Sequence, residues 1–244
     1  MAKLGFVFLS VLTITLFQNF KFTTVNLEKY QVNEETRIQH AKELLGKKYK
    51  KSNAAKFEKE NLLNTEILNI VETSLPKKYL PKSEKITKAI LSEANKYNID
   101  PVFLISVIKT ESAFNPLAIG TSGEIGLMQL MPKTGEYIAK KVGMKNYKGA
   151  KTLRDPVKNI KLGAAYFNYL REKFANAAYK YVPAYNVGPG KVARTENRKD
   201  IPKIYSDRVL KHYETLYKSI YATQTQKAPV FALNYKTHSA ASAN

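Results

Sequence analysis

The stretch "KTESAFNPLAIGTSGEIGLMQLMP", from Lys109 to Pro132, holds the features from which we infer the fold. It begins in an apolar helical pattern, turns at an Asn-Pro pair, passes through a glycine-rich segment and ends in a run of Met and Gln. Its first acidic residue, Glu111, has no His, Cys or obvious second acid beside it. The stretch therefore raises one question, which is whether Glu111 is a surface charge or a group that does chemistry.

The helix that leads into this stretch places Glu111 among apolar side chains. An Asp-Pro pair at residues 100–101 supplies an N-cap followed by Pro at the first helical position, and Asn115-Pro116 is expected to stop the helix. On a helical wheel at about 100° per residue with Leu104 at zero, Glu111 falls at roughly 340°. Its neighbours on the wheel are Val107 and Ile108, and the far side holds Ser106, Lys109 and Thr110.

Both the surroundings and the position of Glu111 disfavour its ionised form. Partial burial raises the pKa of a carboxyl group, and so does the negative end of a helix dipole. A carboxyl of this kind stays protonated near neutral pH and can act as a general acid. The residues alone leave a second interpretation open, in which Glu111 is structural and accepts hydrogen bonds from the backbone amides of the following turn.

Helical patterns extend over most of the chain, and no long alternating strand pattern is present. Apolar residues recur at helical spacing from Ile86 to Tyr97, and a second Asp-Pro pair, Asp155-Pro156, opens another predicted helix. We therefore predict an all-α globular domain over residues 79–222. A charged helical extension at 23–78 precedes it, and a flexible tail at 223–244 follows it.

Residues 1–22 have the pattern of a signal peptide or an N-terminal membrane anchor. Lys3 precedes an apolar run from Leu4 to Phe17, which is short for a membrane-spanning helix and is not followed by a clear cleavage site. On this pattern we expect export to the periplasm or cell envelope, with anchoring to the membrane as the alternative to cleavage.

The composition restricts the chemistry and the partners. The 244 residues carry a net charge of +20, which implies a polyanionic neighbour such as nucleic acid, an anionic membrane or an acidic wall polymer. The absence of Cys excludes disulfides, thiolate nucleophiles and thiolate metal sites. His40, His212 and His238 are too scattered to suggest a metal motif. Binding to nucleic acid would rest on charge alone, without a supporting motif.

The residues from Glu111 to Thr134 resemble the signature of the soluble lytic transglycosylases, which share a lysozyme-like fold with goose-type lysozymes. Three further blocks follow in the family's order: "NIKLGAAYFNYL", "AYNVGPGKV" and the Tyr before "VL" in the last helix. Four blocks in order make the resemblance specific. The matching positions are Glu111, Ser112, Phe114, Asn115, Pro116, Gly123, Gly126, Leu127, Met128, Gln129, Met131, Pro132, Thr134, Asn159, Gly163, Tyr185, Asn186 and Tyr205.

The resemblance implies a peptidoglycan lytic transglycosylase with Glu111 as its catalytic residue. Such an enzyme cleaves the β-1,4 bond between N-acetylmuramic acid and N-acetylglucosamine and closes a 1,6-anhydro ring. Substrate-assisted glycosidases work without a second carboxylate, so Glu111 can serve alone as acid and then as base. No metal and no cofactor are implied. The residues expected to bind substrate are Ser112, Met128, Gln129, Met131, Tyr185, Asn186 and Tyr205.

These substrate-binding residues differ in how strongly the sequence favours a site role. Gln129 and Asn186 suit the acetamido and hydroxyl groups of a sugar. Core packing is the favoured interpretation of Met128 and Met131, because Met commonly fills gaps in a core. Tyr185 lies beside a Gly-Pro-Gly turn, where functional residues are common, and this position favours the site.

Three departures from the family pattern affect the expected substrate contacts. Gly120 stands where the family often has Ser, and Glu124 replaces a common Ala. Ile201-Pro202 stands where many members have Glu-Thr, just before Tyr205.

Two alternatives to a lytic transglycosylase stay open on the residues. A muramidase would hydrolyse the same bond, with Glu124 or Asp155 positioning the water, and an inactive wall-binding protein would keep only the fold. The expected partner is the glycan strand of peptidoglycan, whose carboxylates would attract a basic chain. The membrane, through the N-terminal segment, and other cell-envelope proteins are further candidate partners.

Overall fold

The structure, a computed structural model, describes residues 32–57 and 60–239, with side chains described for 32–57 and 63–223. Within these ranges the chain forms helices, and its only extended pairing is two isolated bridges in the loop after Glu111. The all-α prediction is thereby confirmed. The helices are α1 (Glu34–Leu45), α2 (Asn53–Lys56), α3 (Glu60–Ser74), α4 (Ser83–Tyr97), α5 (Pro101–Ser112), α6 (Pro132–Lys141), α7 (Ala150–Leu153), α8 (Pro156–Lys173), α9 (Ala178–Val187), α10 (Pro189–Arg194) and α11 (Ile204–Ser239), with 3-10 turns at Gly46–Lys51, Lys77–Lys82 and Arg198–Asp200.

Helix α5 is a core element that leads to Glu111. At its start the Asp100 side chain accepts a hydrogen bond from the Val102 amide (2.8 Å) and Pro101 takes the first position, as predicted. Every residue from 101 to 108 is buried. The predicted polar face is therefore wrong at Ser106, whose hydroxyl donates to the Val102 carbonyl within the helix (2.6 Å). Burial on all sides is typical of a central helix.

The C-terminal end of α5 comes earlier than the Asn115-Pro116 pair predicted. The helix ends at Ser112 because Ala113 and Phe114 adopt left-handed φ angles of 47° and 64°. Phe114 is only 1% exposed, and burial of its ring offsets the strain of two non-glycine residues at positive φ. Glu111 therefore lies in the last turn of α5, where the chain changes direction.

The loop between α5 and α6 is held by Asn159 of α8. The buried amide of Asn159 donates to two backbone carbonyls, including that of Ile125 (2.8 Å), and its Oδ1 accepts from the Met128 amide (2.7 Å). Gly126 has a φ of 85°, and a Cβ there would lie 2.5 Å from the Asn159 amide nitrogen. Only glycine satisfies both the dihedral angle and the close approach, so this pair fixes the shape of the loop.

The described part of the predicted extension, residues 32–57 and 60–78, packs into the same core as the predicted domain. Leu63, Ile67 and Val71 of α3 are fully buried and face α4. The hydrophobic core is therefore continuous across the predicted boundary. The domain limits themselves stay a prediction.

A buried polar network joins α1 to the start of α5 and to α11. The Asp100 carboxylate accepts hydrogen bonds from the hydroxyls of Tyr213 (2.6 Å) and Tyr217 (2.7 Å). Arg37 of α1 donates to the Tyr217 hydroxyl (2.9 Å), and the Nδ1 atom of His40 accepts from the Asp100 amide (3.1 Å). All five side chains are buried, so the N-terminal helix takes part in positioning α5.

The last helix, α11, continues beyond its predicted end. Its backbone is helical to Ser239, through most of the stretch predicted as a tail at 223–244. Residues 240–244 and the side chains after 223 lie outside the described residues, and the tail's flexibility stays a prediction. None of the described helices has the length and apolarity needed to cross a membrane. The predicted N-terminal segment, 1–22, also lies outside the described residues.

Candidate active site

A cleft opens where the end of α5 meets the following loop, the start of α6 and the end of α9. Its volume is about 270 Å³. Five residues predicted for the site line it together: Glu111, Gln129, Met131, Tyr185 and Asn186. The other lining residues are Gly120, Thr121, Glu124, Leu130, Thr134, Tyr166 and Gly188.

Tyr185 and Asn186 reach the cleft from the last turn of α9. This helix ends at Val187, and Gly188, with a φ of 83°, redirects the chain into α10 at Pro189. The predicted Gly-Pro-Gly turn is thus a junction between two helices.

Glu111 presents a half-buried carboxylate to the cleft, and its Oε1 atom accepts a hydrogen bond from the Tyr205 hydroxyl (2.6 Å). Burial raises the pKa of Glu111 to about 7. The Tyr205 hydrogen bond and the positive charge of Arg208 oppose this rise, and the negative charge of Glu124 adds to it. A carboxyl group with this pKa keeps its proton in a substantial fraction of molecules at neutral pH and can donate it.

Tyr205 and Tyr185 are stacked beside Glu111. Their ring centroids are 6.4 Å apart with planes at 10°, and Tyr185 stacks on Phe167 at 4.0 Å. The Tyr185 hydroxyl donates to the Met128 carbonyl (2.8 Å). Burial raises the pKa of both tyrosines well above the ordinary value, so both hydroxyls stay protonated. Tyr205, predicted to bind substrate, does not line the cleft and is positioned to act through Glu111.

Gln129 uses its amide nitrogen inside the loop. Its Nε2 atom donates to the carbonyls of Ala118 (3.1 Å) and Gly126 (2.9 Å), and the backbone of Gln129 has a φ of 44°. Both amide hydrogens are thereby engaged, so the group that Gln129 can offer to a ligand in the cleft is the carbonyl oxygen Oε1.

Ser112 and Met128 were predicted to bind substrate, but neither lines the cleft. The Ser112 hydroxyl donates to the Leu127 carbonyl (2.8 Å) and ties α5 to the loop. Met128 is fully buried, and a Cβ at Gly163 would lie 2.3 Å from its sulfur. Met128 thus packs in the core, which is the interpretation that the sequence favoured over substrate binding, because the absence of a side chain at residue 163 makes room for the thioether. Met131, 37% exposed, does line the cleft.

The sequence reasoning missed Tyr166, Thr121 and Arg208. Tyr166 lies one helical turn after Gly163, and Arg208 lies one turn after Tyr205. Residues three apart share a helix face, so this spacing was the signal that could have identified Tyr166 and Arg208. No comparable signal marks Thr121, which lies in an irregular loop.

Two of the departures from the family pattern meet in the cleft. A Cβ at Gly120 would lie 2.3 Å from Oε2 of Glu124 and 2.9 Å from Oε1 of Gln129. The Glu124 carboxylate, which accepts from the Ser122 amide (3.0 Å), thus occupies the space that a side chain at residue 120 would need. Glycine at 120 and glutamate at 124 are therefore matched to each other.

The third departure lies outside the cleft. Ile201 is buried and, together with Pro202, lines a separate hollow of about 260 Å³ next to Tyr179. This departure leaves the lining of the cleft unchanged.

Comparisons with known proteins identify the same region. The family model described as "Transglycosylase SLT domain" matches residues 88–207. Membrane-bound lytic murein transglycosylase C from Histophilus somni strain 2336 is 32% identical over 152 residues, which cover 57% of this chain and 42% of that protein. Soluble lytic murein transglycosylase from Salmonella typhimurium is 35% identical over 95 residues, which cover 39% of this chain and 15% of that protein.

A solved structure agrees with these relatives. The 70 kDa soluble lytic transglycosylase from Escherichia coli superposes with a TM-score of 0.50 at 25% identity, covering 65% of this chain and 28% of that one. The chain thus spans less than half the length of these relatives. The fold is the lysozyme-like helical fold that the sequence predicted. Residues 88–207 therefore match a transglycosylase SLT domain, and this match supports the resemblance to the soluble lytic transglycosylases.

Proposed function

We propose that this protein is a peptidoglycan lytic transglycosylase that uses Glu111 as its single acid and base. It would cleave the β-1,4 bond between N-acetylmuramic acid and N-acetylglucosamine and leave 1,6-anhydro-N-acetylmuramic acid. The observation that carries the proposal is the state of Glu111, a half-buried carboxyl group that faces a cleft and has a pKa of about 7. Such a group can give up a proton and recover one at the same pH.

One carboxyl group is enough for the proton transfers of this reaction. Glu111 protonates the glycosidic oxygen as the bond to C1 of the muramic acid breaks. The 2-acetamido oxygen of the same sugar stabilises the cationic C1. The Glu111 carboxylate then takes the proton of the C6 hydroxyl while its oxygen attacks C1, which closes the anhydro ring and restores the acid. No water enters the product.

The surroundings of Glu111 support both halves of this cycle. Burial favours the protonated form before bond cleavage, and the Tyr205 hydrogen bond together with Arg208 stabilises the carboxylate after it. Asn186 and Oε1 of Gln129 are polar groups at the cleft that suit the substituents of a sugar. Gln129 and Asn186 are thus assigned to substrate binding and Tyr205 to the support of Glu111.

One observation favours a second candidate reaction, hydrolysis of the same bond. Glu124 lines the same cleft, so a second carboxylate is available to orient a water molecule. Most glycosidases use such a pair, and the substrate-assisted mechanism needs only one. An inactive wall-binding protein is the weaker candidate, because a site with an intact and perturbed Glu111 is arranged for proton transfer.

Digestion of purified sacculi followed by mass analysis of the muropeptides tests the proposal. We expect products that end in anhydro-muramic acid, which are lighter by one water than hydrolysed products. Reducing ends would favour the muramidase, and undigested sacculi would overturn both enzymatic candidates.

We further propose that the protein works in the cell envelope. One relative named above, from Histophilus somni, is described as membrane-bound, and the net charge of +20 suits a polyanionic wall. Membrane attachment through residues 1–22 and contacts with other envelope proteins are part of this proposal. Fractionation of cells, with the protein traced by antibody, tests it, and recovery in the cytoplasm alone would contradict it.

A further inference from the structure

A row of tyrosines continues from the cleft along the surface between α6 and α8. Tyr166 lines the cleft, and its ring lies nearly parallel to that of Tyr169, with centroids 6.3 Å apart and planes at 13°. Tyr137 of α6 meets Tyr169 edge-on at 5.6 Å. We call Tyr137, Tyr166 and Tyr169 the aromatic ridge. Its outer end is open to solvent, because Tyr137 is 47% exposed.

Two lysines flank the outer end of the aromatic ridge. The Lys141 Nζ atom lies 5.8 Å from the centre of the Tyr137 ring and 5.5 Å from that of Tyr169. Lys173, at the end of α8, also acts electrostatically on Tyr137. Both lysines are exposed, and neither forms an ion pair with a carboxylate among the residues that the structure describes. The ridge thus joins exposed aromatic surface to positive charge.

The aromatic ridge is continuous with the cleft on both helices. Tyr166 belongs to both, and on α6 the cleft residue Thr134 is followed by Tyr137 one helical turn later. A linear ligand that leaves the cleft beside Tyr166 would therefore pass over Tyr169 and Tyr137. Exposed apolar surface that continues from a binding site is typical of an extended binding surface.

We propose that the aromatic ridge binds a sugar unit of the glycan strand beyond the cleft, with Lys141 and Lys173 receiving carboxylates of its peptide. The apolar C–H face of a pyranose suits a tyrosine ring, and a lysine ammonium suits a carboxylate. This inference rests on the proposed function, because it assumes that peptidoglycan fills the cleft. Its consequence is that long, peptide-bearing strands bind more tightly than short, bare ones.

The test measures binding in the Glu111→Gln background, so that the strand stays intact. Tyr137→Ala is compared with Tyr179→Ala, a matched control whose ring is 40% exposed and carries Arg198 at 4.0 Å from its centroid, outside the cleft. The ligands are long glycan strands with peptides, the same strands after removal of the peptides, and a chitin disaccharide small enough for the cleft alone. Equal thermal midpoints of the variants confirm that they are folded.

We expect Tyr137→Ala to weaken binding of both long strands by about 5- to 10-fold and to leave the disaccharide unchanged. Lys141→Gln, a second and milder variant, should weaken only the peptide-bearing strand, by about 3-fold. Equal affinities of Tyr137→Ala and Tyr179→Ala for the long strands would overturn the inference. If the chain with Glu111 intact still cleaves sacculi in that case, only the inference that the aromatic ridge binds the strand is wrong. If binding depends on Tyr137 but sacculi are not cleaved, binding by the aromatic ridge is supported and the proposed reaction is wrong.

Discussion

Helix α5 carries a carboxyl group at each end, and the two differ in what surrounds them. Asp100 at the start is fully buried, and Glu111 in the last turn is half-buried at the cleft. Both receive hydroxyl groups from α11: Tyr213 and Tyr217 donate to Asp100, and Tyr205 donates to Glu111. Burial raises the pKa of both groups. Helices α5 and α11 therefore hold two carboxyl groups that both have a raised pKa but differ in their access to solvent.

The difference shows what separates a structural carboxyl group from a reactive one. Asp100 accepts two hydroxyl donors at Oδ2 and the Val102 amide at Oδ1, and it lies at the positive end of the helix dipole. Within the described part of the chain, a single hydrogen bond to Glu111 is seen, from Tyr205, and this carboxyl lies at the negative end of the dipole. Donors of the protein itself fill the hydrogen-bonding capacity of Asp100, whereas Glu111 keeps capacity to bond to a ligand.

The largest expected effect is the loss of activity in Glu111→Gln. The amide keeps the size of the side chain but cannot cycle a proton, so cleavage of sacculi should fall by at least about 1000-fold. The thermal midpoint should be unchanged or slightly higher, because a buried ionisable group is removed. An active Gln variant would remove Glu111 from the mechanism.

Asp100→Ala should produce the opposite pattern, a loss of stability. It removes the N-cap of α5 and leaves two tyrosine hydroxyls buried without their acceptor, so the free energy of unfolding should fall by about 3 kcal/mol. Urea denaturation measures the change. Asp155→Ala is the matched control, since Asp155 caps α8 through the Lys158 amide (2.9 Å) near the surface, and about 1 kcal/mol is expected there. Equal losses at both caps would show that the buried network adds nothing.

Tyr205→Phe should change the acidity of Glu111 without removing it. The hydrogen bond from Tyr205 lowers the pKa of Glu111, so its loss raises that pKa and moves the alkaline limb of the pH–activity profile to higher pH. We expect kcat to fall by about 10-fold, because the carboxylate formed during the reaction loses a donor. Tyr185→Phe is the control, because the Tyr185 hydroxyl bonds to the Met128 carbonyl and not to Glu111. The alkaline limb of the pH–activity profile should stay at the wild-type pH in this variant.

The smallest expected effect on activity is that of Glu124→Gln. The negative charge of Glu124 raises the pKa of Glu111, so its removal lowers that pKa and moves the alkaline limb to lower pH, opposite to Tyr205→Phe. The shift should shrink only slightly at high salt, because both carboxylates are half-buried and salt screens partly buried charges weakly. A product that changes from reducing to anhydro ends in this variant would instead assign Glu124 to a hydrolytic reaction.

At α5 the features that depend on neighbouring residues agree with the sequence prediction, and those that depend on packing do not. The Asp-Pro start was predicted correctly, because a cap and a proline act within one turn. Ser106 was placed on a polar face and is buried, since a wheel cannot show that other helices cover every side of α5. The end at Ser112 was missed, because Ala113 and Phe114 carry no sequence signal for positive φ.

The candidate site also has features that the local sequence predicts and features that only packing decides. The motif identified Glu111 and the loop that faces it. Residue type could not assign Met128 and Met131, which are three positions apart, one to the core and one to the cleft. Met128 is buried because Gly163, on another helix, leaves space for its sulfur, and Met131 is exposed at the start of α6.

By itself the sequence determined the all-α class, the capped starts of α5 and α8, the resemblance to the lytic transglycosylases and the identity of the candidate acid. Capping, periodicity and motif spacing depend on residues close together in the chain. The tertiary structure decided the state of that acid. Its hydroxyl donor, Tyr205, lies 94 residues away, and its pKa depends on burial by elements from across the chain. Desolvation and hydrogen bonding are properties of the folded surroundings, so no local pattern could supply them.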